Sequence, residues 1–259
     1  MPYTCENYNQ SKSIRLYSTT FNRGFSLKIN KTDTNESQYG ELIDQYKSQV
    51  FETFGLMQNY TWKLDPRRML FAFARYKFVA KMFEGFDRVL EVGCGDAAAT
   101  RIVQQTVGKV TVTDIDKTFI DDIESRQQEN WHLDARVHDM VLSPIKENFD
   151  GIFGLDVFEH IEKSNEEIFL KNICASLNDH GSLIIGIPSL ESQAHASDGS
   201  KAGHVNCKSG NELRDFLKKY FHSVFMFSMN DEVLHTGFFP MSHYLLAVCC
   251  EKKVSGAES

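Results

Sequence analysis

The spacing of apolar and polar positions changes repeatedly along the chain, and each change predicts an element. Short apolar runs rich in β-branched residues are typical of buried strands. Five occur in the middle of the chain: RVLEV (88–92), KVTVTDI (109–115), ARVHD (135–139), FDGIFGLDV (149–157) and SLIIGIP (182–188). Apolar residues at helical spacing between them predict helices over about 97–107, 117–128 and 165–177. Such alternation favours a parallel sheet with helices on both faces.

The two ends of the chain depart from this alternation. Residues 1–60 are polar and irregular, which predicts an N-terminal extension with a weak helix over 41–54. Asp65-Pro66 predicts the start of a helix, because Asp can cap free amides and Pro fits the first turn. After a helix over 211–219, SVFMFSM and HYLLAVCC predict two strands without a helix between them, hence an antiparallel pair. We expect a doubly wound α/β domain over 61–252 and a flexible tail over 253–259.

Composition narrows the class of protein. The chain has 259 residues and a net charge of −7, which disfavours nucleic acid or an anionic membrane as a partner. No apolar run approaches the roughly 20 residues of a membrane helix, and the first residues lack a signal-peptide core. The six cysteines show no zinc-ligand spacing. These features predict a cytoplasmic protein with reduced thiols.

The stretch VLEVGCGD marks the first candidate for a ligand site. Gly93 and Gly95 allow a tight turn between a strand and a helix, where ligands of α/β sheets bind. GCGDAA also fits the dinucleotide pattern GxGxxA, and Asp114 follows Gly95 by 19 residues (114 − 95). On this evidence alone a nicotinamide-dependent oxidoreductase stays open.

Acidic residues favour a different cofactor. Glu91 and Asp96 beside the turn would repel a pyrophosphate, but they suit a ligand that carries an amino group and a sulfonium. Asp139 in VHDM is placed to accept from an adenine amino group, and Met140 can pack on the ring. The fourth strand runs out into three further polar residues, Asp156, Glu159 and His160. Together these positions favour an adenosyl sulfonium.

The ordered motifs LEVGCGD, VTVTDID, VHDM, FDGIFGLDVFEHI and GSLIIGIPS resemble those of class I S-adenosylmethionine-dependent methyltransferases over residues 86–252. The segment that begins GHVNCKSGNELRDF resembles small-molecule O-methyltransferases of ubiquinone biosynthesis and sugar modification. WKLDPRRMLFAFARYKFVAKM resembles the lead-in of bacterial methyltransferases from surface-polysaccharide pathways. The resemblance implies a Rossmann-like, seven-stranded, mostly parallel sheet with an antiparallel C-terminal hairpin, and S-adenosyl-L-methionine as cofactor.

The resemblance also assigns roles to residues of this sequence. Asp114 would bind both ribose hydroxyls, with Asp116 left as the cap of the next helix. The other implied cofactor residues are Glu91, Gly93 and Gly95 at the methionine part, Ile115, Asp139 and Met140 at adenine, and Asp156 and Val157 near the departing methyl group.

Catalysis of methyl transfer depends mainly on positioning, although a hydroxyl acceptor must also lose its proton. His160 and His204 are the candidate bases. The Glu-His pair could instead support the loop after the fourth strand, and His204 could be a surface histidine. Since no carboxylate-histidine group has metal-ligand spacing in the sequence, we expect catalysis without a metal.

An aromatic and basic group, Tyr60, Trp62, Arg67 and Arg68, suits a sugar ring or a phosphate. A helix that packs on the sheet with its arginines in water would explain the same residues. The sequence predicts O-methylation of a small acceptor such as a sugar, a sugar nucleotide or a phosphate-bearing capsule precursor. A non-catalytic protein that binds S-adenosylmethionine is a further alternative, and a homodimer stays open.

Overall fold

The computed structural model describes residues 35–49 and 52–253. The chain divides into two compact units between Glu52 and Thr53. The described part of the first unit is a 3-10 turn followed by helix α1 (Gly40–Ser48), where the sequence predicts a weak helix. The expected domain boundary near residue 60 stays a prediction, and the tail beyond Lys253 lies outside the described residues.

The second unit is built on one sheet of eight strands with the order β3-β2-β1-β4-β5-β8-β6-β7. The strands are β1 (Arg88–Val92), β2 (Lys109–Asp114), β3 (Asp134–Val137), β4 (Phe149–Leu155), β5 (Leu177–Pro188), β6 (Phe221–Asn230), β7 (Val233–His235) and β8 (Tyr244–Lys252). Strands β1 to β5 pair in parallel, while β8 pairs antiparallel with both β5 and β6. This confirms the predicted fold class.

The count of strands exceeds the predicted seven by one. The additional strand, β7, pairs antiparallel with β6 at the edge of the sheet, where the sequence predicts only a polar loop. It is three residues long, and Val233 and Leu234 are exposed. A strand this short and this exposed has no alternation from which it can be predicted.

Seven helices accompany this sheet: α2 (Leu56–Leu64), α3 (Arg67–Met82), α4 (Thr100–Gln104), α5 (Lys117–Ser125), α6 (Glu166–Ser176), α7 (Asp198–Gly203) and α8 (Gly210–Leu217). The sequence does not predict α2 or α7, because neither helix buries a residue against the sheet. No helix in the described ranges is long and apolar enough to cross a membrane.

Hydrophobic residues form two clusters on the two faces of the sheet. Alternation along β1 places Leu90 in one cluster and Val89 in the other. Helices α6 and α8 cover the first face with residues such as Phe169 and Leu213. Helices α3, α4 and α5 cover the second face. The doubly wound arrangement predicted from the alternation of elements is therefore present.

Helix α3 begins where Asp65-Pro66 predicts it, but two details differ. The N-cap residue is Pro66 and not Asp65, and the Asp65 side chain pairs with Arg67, with Nε and Oδ1 3.0 Å apart. The buried face of the helix includes Met69, whereas the adjacent Leu70 is exposed although it is apolar. By contrast, Asp116 caps α5 as expected, accepting from the Thr118 amide.

Candidate functional site

A cavity of about 390 Å³ opens at the carboxyl ends of β1 to β4. The strand order places the residues after β3 at one end and those after β4 at the other. The structure brings eight of the nine predicted cofactor residues together in its lining, along with His160: Gly93, Gly95, Asp114, Ile115, Asp139, Met140, Asp156 and Val157. This is the edge of a parallel sheet at which ligands bind.

The turn after β1 depends on its glycines. Gly93 and Gly95 have φ angles of +70° and +51°, in the left-handed region that glycine adopts without strain. The amides of Gly93 and Cys94 both donate to the Thr113 carbonyl, at 2.8 and 3.0 Å. A Cβ on Gly93 would lie 2.3 Å from Cγ2 of Val157. The backbone therefore passes closer to the end of β4 than a larger residue allows.

Asp114 lies buried at the end of β2, directly beside this turn. Its Oδ2 accepts from the Gly95 amide and its Oδ1 from the Asp116 amide, both at 2.9 Å. A carboxylate oxygen has a second lone pair, so each oxygen can also accept from a hydroxyl in the cavity. The two aspartates therefore have different positions: Asp114 lines the cavity, whereas Asp116 caps the next helix.

Three residues form the end of the cavity below β2 and β3. Ile115 is 72% exposed and presents its side chain at the rim. Met140 is buried, and Asp139 accepts from the Val141 amide at 2.8 Å. This end of the cavity thus combines two apolar side chains, Ile115 and Met140, with the carboxylate of Asp139.

Glu91 lies outside the cavity lining, unlike the other predicted cofactor residues. Its two oxygens accept from the hydroxyls of Tyr76 and Thr100, each at 2.5 Å. Burial raises the pKa of Glu91 to about 7, against the lowering effect of these two hydrogen bonds. Glu91 reaches the cavity only through Tyr76, which lines it. The sequence shows the acid but not the direction in which its side chain points.

Sequence reasoning also missed the residues that cover the turn. Met57 and Gln58 of α2 line the cavity. The Gln58 amide donates to Oδ2 of Asp96 at 2.7 Å, and Arg126 donates to the Asp96 carbonyl at 2.7 Å. These partners come from distant parts of the chain, and no local pattern indicates them.

At the β4 end, Asp156 pairs with Arg75 of α3, with 2.7 Å between Oδ2 and Nη1. The Arg75 guanidinium also lies 3.6 Å from the centre of the Tyr244 ring. Asp156 itself has a φ of +57°, a conformation that costs a non-glycine residue about 1 kcal/mol or more. No local sequence pattern indicates Arg75, which holds the Asp156 side chain that the resemblance places near the methyl group.

The two candidate bases lie side by side. His160 lines the cavity, and His204 does not, but their ring centres are 5.2 Å apart. Nδ1 of His160 bonds the Gly203 carbonyl and Nδ1 of His204 bonds Oε1 of Gln193, both at 2.8 Å. Burial and the neighbouring His160 lower the pKa of His204. Each ring therefore uses Nδ1 in a hydrogen bond and leaves Nε2 for another partner.

The predicted acceptor residues lie elsewhere. Tyr60, Trp62, Arg67 and Arg68 are exposed, and none of these four described residues lines the cavity. Arg67 pairs instead with Asp65. Their contact with an acceptor stays a prediction, and any such contact would lie beyond the cavity.

Solved structures share this architecture at low sequence identity. The N-methyltransferase NodS from Bradyrhizobium japonicum WM9, in complex with S-adenosyl-L-homocysteine, is 20% identical over 73% of this chain and 91% of its own, with a TM-score of 0.53. The DhpI-SAM-HEP complex is 17% identical over 74% of this chain and 90% of that chain, with a TM-score of 0.55. A putative methyltransferase, solved with the Haloferax volcanii Trm112 activator, is 14% identical over 78% and 99%, with a TM-score of 0.57.

No curated protein sequence matches the chain significantly. Residues 89–181, from β1 into β5, match the family described as "Methyltransferase domain". This segment carries the glycine turn, Asp114 and the residues that follow β4. Residues 89–181 are therefore similar to a methyltransferase domain, and the described part of the chain has the Rossmann-like fold that these solved structures share.

Proposed function

We propose that this protein is an S-adenosyl-L-methionine-dependent methyltransferase that methylates an oxygen atom of a small molecule. One observation carries the proposal: a buried carboxylate, Asp114, lies against a tight glycine turn in a cavity at the carboxyl edge of the sheet. The domain match favours methyl transfer over the nicotinamide chemistry that the glycine pattern alone leaves open.

The residues present fit this cofactor. Asp114 has the lone pairs to accept from two ribose hydroxyls, while Gly93 and Gly95 leave room for a ligand against the backbone. Ile115, Asp139 and Met140 would hold the adenine, and Asp156 and Val157 the methionine part. When bound, the cofactor supplies a methyl group on a sulfonium, which becomes a neutral thioether after transfer.

An oxygen acceptor accounts best for the paired histidines. In O-methylation the S–CH₃ bond breaks, an O–CH₃ bond forms, and the hydroxyl proton must pass to a base. His160 and His204 lie at the β4 end of the cavity, the end assigned to the methionine part. A neutral amine would need no such activation. The acceptor class, a sugar, a sugar nucleotide or a phosphate-bearing precursor, rests on the sequence resemblance and on the exposed aromatic and basic residues outside the cavity.

Calorimetry tests the cofactor assignment. We expect S-adenosylhomocysteine to bind with one site per chain and NADH to give no heat. Asp114→Asn removes the charge that strengthens two hydrogen bonds, and loss of about 2–3 kcal/mol weakens binding roughly 30- to 150-fold. The matched control is Asp116→Asn, two residues away, which keeps a helix-capping side chain and leaves the affinity unchanged. Equal affinity of Asp114→Asn and the unsubstituted protein would refute the ribose assignment.

The oxygen acceptor needs a separate test. The protein is incubated with methyl-labelled cofactor and a panel of hexoses, nucleoside diphosphate sugars, sugar phosphates and matching amino sugars. We expect label in a methyl ether of a hydroxyl-bearing compound. Label found only on the amino group of an amino sugar would overturn the oxygen assignment and leave the cofactor assignment intact.

A further inference from the structure

We propose that Glu159, His160 and His204 bind a divalent transition-metal ion at the β4 end of the cavity. The ligands would be one carboxylate oxygen of Glu159 and Nε2 of each histidine. The existence of this site does not depend on the proposed function, although its role in activating an acceptor does. The sequence predicts no metal, because His204 is remote from the Glu-His pair along the chain and only the fold brings it close.

The three side chains converge in space. Their potential ligand atoms all lie within 4.8 Å of one another. Nitrogen and oxygen ligands about 2.1 Å from a tetrahedral ion are about 3.4 Å apart. Side-chain rotations that draw the atoms together by at most about 1.4 Å would therefore close the site around an ion.

The environment of Glu159 is the strongest indication that a cation binds here. Its side chain is 1% exposed, yet neither carboxylate oxygen has a hydrogen-bond partner. A buried carboxylate without a partner costs several kcal/mol unless a cation neutralises it. The nearby Arg75 is engaged by Asp156.

Both histidines are held in the form that binds metals. Because the Gly203 carbonyl and the Gln193 amide oxygen are acceptors, the Nδ1 atom of each ring carries the proton. The Gln193 orientation is set by its nitrogen, which donates to the Ser189 carbonyl at 3.3 Å. Metal-binding histidines are typically fixed by such a bond on the nitrogen that faces away from the ion.

The backbone holds the two halves of the site together. The Asn206 amide donates to the Glu159 carbonyl at 2.9 Å, which fixes the segment of His204 against the turn that follows β4. Below it, Lys208 pairs with Glu166 at 2.7 Å in a buried contact. The segments that carry the three ligands are therefore connected by a hydrogen bond and stabilised by a buried ion pair.

Two histidines and a carboxylate are a ligand set for zinc and other first-row divalent ions, and they leave coordination positions open. In the proposed function, an open position would take the acceptor hydroxyl and lower its pKa, so that its proton leaves to solvent as oxygen attacks the methyl group. The ion would then take over the activation of the hydroxyl that the proposed function gives to the histidines, and the histidines would serve as its ligands; an oxygen acceptor is required in either case.

The test uses full-length, tag-free protein treated with a chelator, then titrated with Co²⁺ without any cofactor. We expect visible absorption bands that saturate at one Co²⁺ per chain and that one equivalent of Zn²⁺ abolishes. Glu159→Gln keeps the side-chain shape but removes the anionic ligand, and we expect at least tenfold weaker Co²⁺ binding. His204→Ala should weaken binding at least as much. The matched control, His180→Ala, removes an exposed histidine on β5 and should leave saturation unchanged.

Far-ultraviolet circular dichroism, run on each variant, reports whether the variant is folded, and calorimetry with S-adenosylhomocysteine tests the proposed function separately. Absence of saturable Co²⁺ binding in the unsubstituted protein, or equal binding in folded Glu159→Gln, would overturn the metal site. Co²⁺ binding without any affinity for S-adenosylhomocysteine would instead leave the metal site standing and refute the proposed function. The two failures are therefore distinguishable.

Discussion

At the scale of single residues, Gly93 has both a positive φ angle and a close contact beside the cavity. Gly85 has a positive φ angle without such a contact, so it serves as the control for backbone strain. Both have positive φ angles, but a Cβ on Gly85 would meet nothing within 4 Å, whereas one on Gly93 would strike Val157. Gly85→Ala should cost about 1–2 kcal/mol of stability through strain alone and keep cofactor affinity. Gly93→Ala should cost a further 1–3 kcal/mol through overpacking and lose cofactor binding. Urea denaturation and calorimetry measure both, and equal effects would contradict the close approach.

Glu91 leads to a prediction about pH. Its folded-state pKa of about 7 exceeds the ordinary value of 4.5, so the folded protein binds this proton more tightly than the unfolded chain does. The stabilisation is complete below pH 4.5 and is lost as pH rises toward 7, by about 3 kcal/mol in total. Glu91→Gln removes this dependence. Its stability relative to the unsubstituted protein should therefore rise between pH 5 and 8 in urea denaturation, and a flat difference would contradict the raised pKa.

The sequence predicted those site residues whose position in the chain determines their position in space. Asp114 and Asp139 follow strands of a parallel sheet, so both must come to the same edge. Glu91 lies within a strand covered on both faces, and only packing decides that it turns toward Tyr76 and Thr100. Arg75 reaches Asp156 across 81 positions of sequence. Contacts of that kind depend on how a helix is placed on the sheet, which no local pattern encodes.

At the scale of elements, α2 is held mainly by hydrogen bonds. We therefore expect that this helix can detach from the cavity that it covers. None of its residues is buried, and its first turn is tied down by the Gln58 amide on Asp96. Asp96→Ala should therefore accelerate hydrogen exchange over residues 56–62 at least tenfold, because a helix this short is marginal alone. Asp65→Ala, which removes an exposed ion pair at the other end, should leave that exchange unchanged. Unaltered exchange in Asp96→Ala would mean that other contacts hold α2.

Helices and strands can be predicted from this sequence where they bury apolar residues. Helix α3 and the five parallel strands could be predicted because their apolar residues pack on the sheet and leave a periodic pattern. Helices α2 and α7 and strand β7 could not, since no residue of these three elements is buried. Helix α2 matters most to function, because it contributes Met57 and Gln58 to the cavity. The site is thus predictable where it rests on the sheet and unpredictable where a surface helix completes it.

At the scale of the whole molecule, the division of the chain can be tested by truncation. Among the described residues, those that line the cavity all lie in the second unit, from Thr53 onward. A chain that begins at Thr53 should therefore bind S-adenosylhomocysteine within about threefold of full length and unfold in one transition. A chain that begins at Asp65 lacks α2 and its hydrogen bond to Asp96. It should bind about tenfold more weakly, since one hydrogen bond to a charged group contributes about 1.5 kcal/mol.

The pair of truncated chains separates two accounts of the first sixty residues. If the chain from Thr53 loses cofactor affinity while circular dichroism shows it folded, the first unit contributes to the cofactor site and the unit boundary does not delimit function. If both truncated chains bind equally well, α2 belongs to the extension expected over 1–60 and merely covers the cavity. A loss confined to the chain from Asp65 assigns α2 to the methyltransferase domain, because Asp96 then needs Gln58 to present the glycine turn to the cofactor.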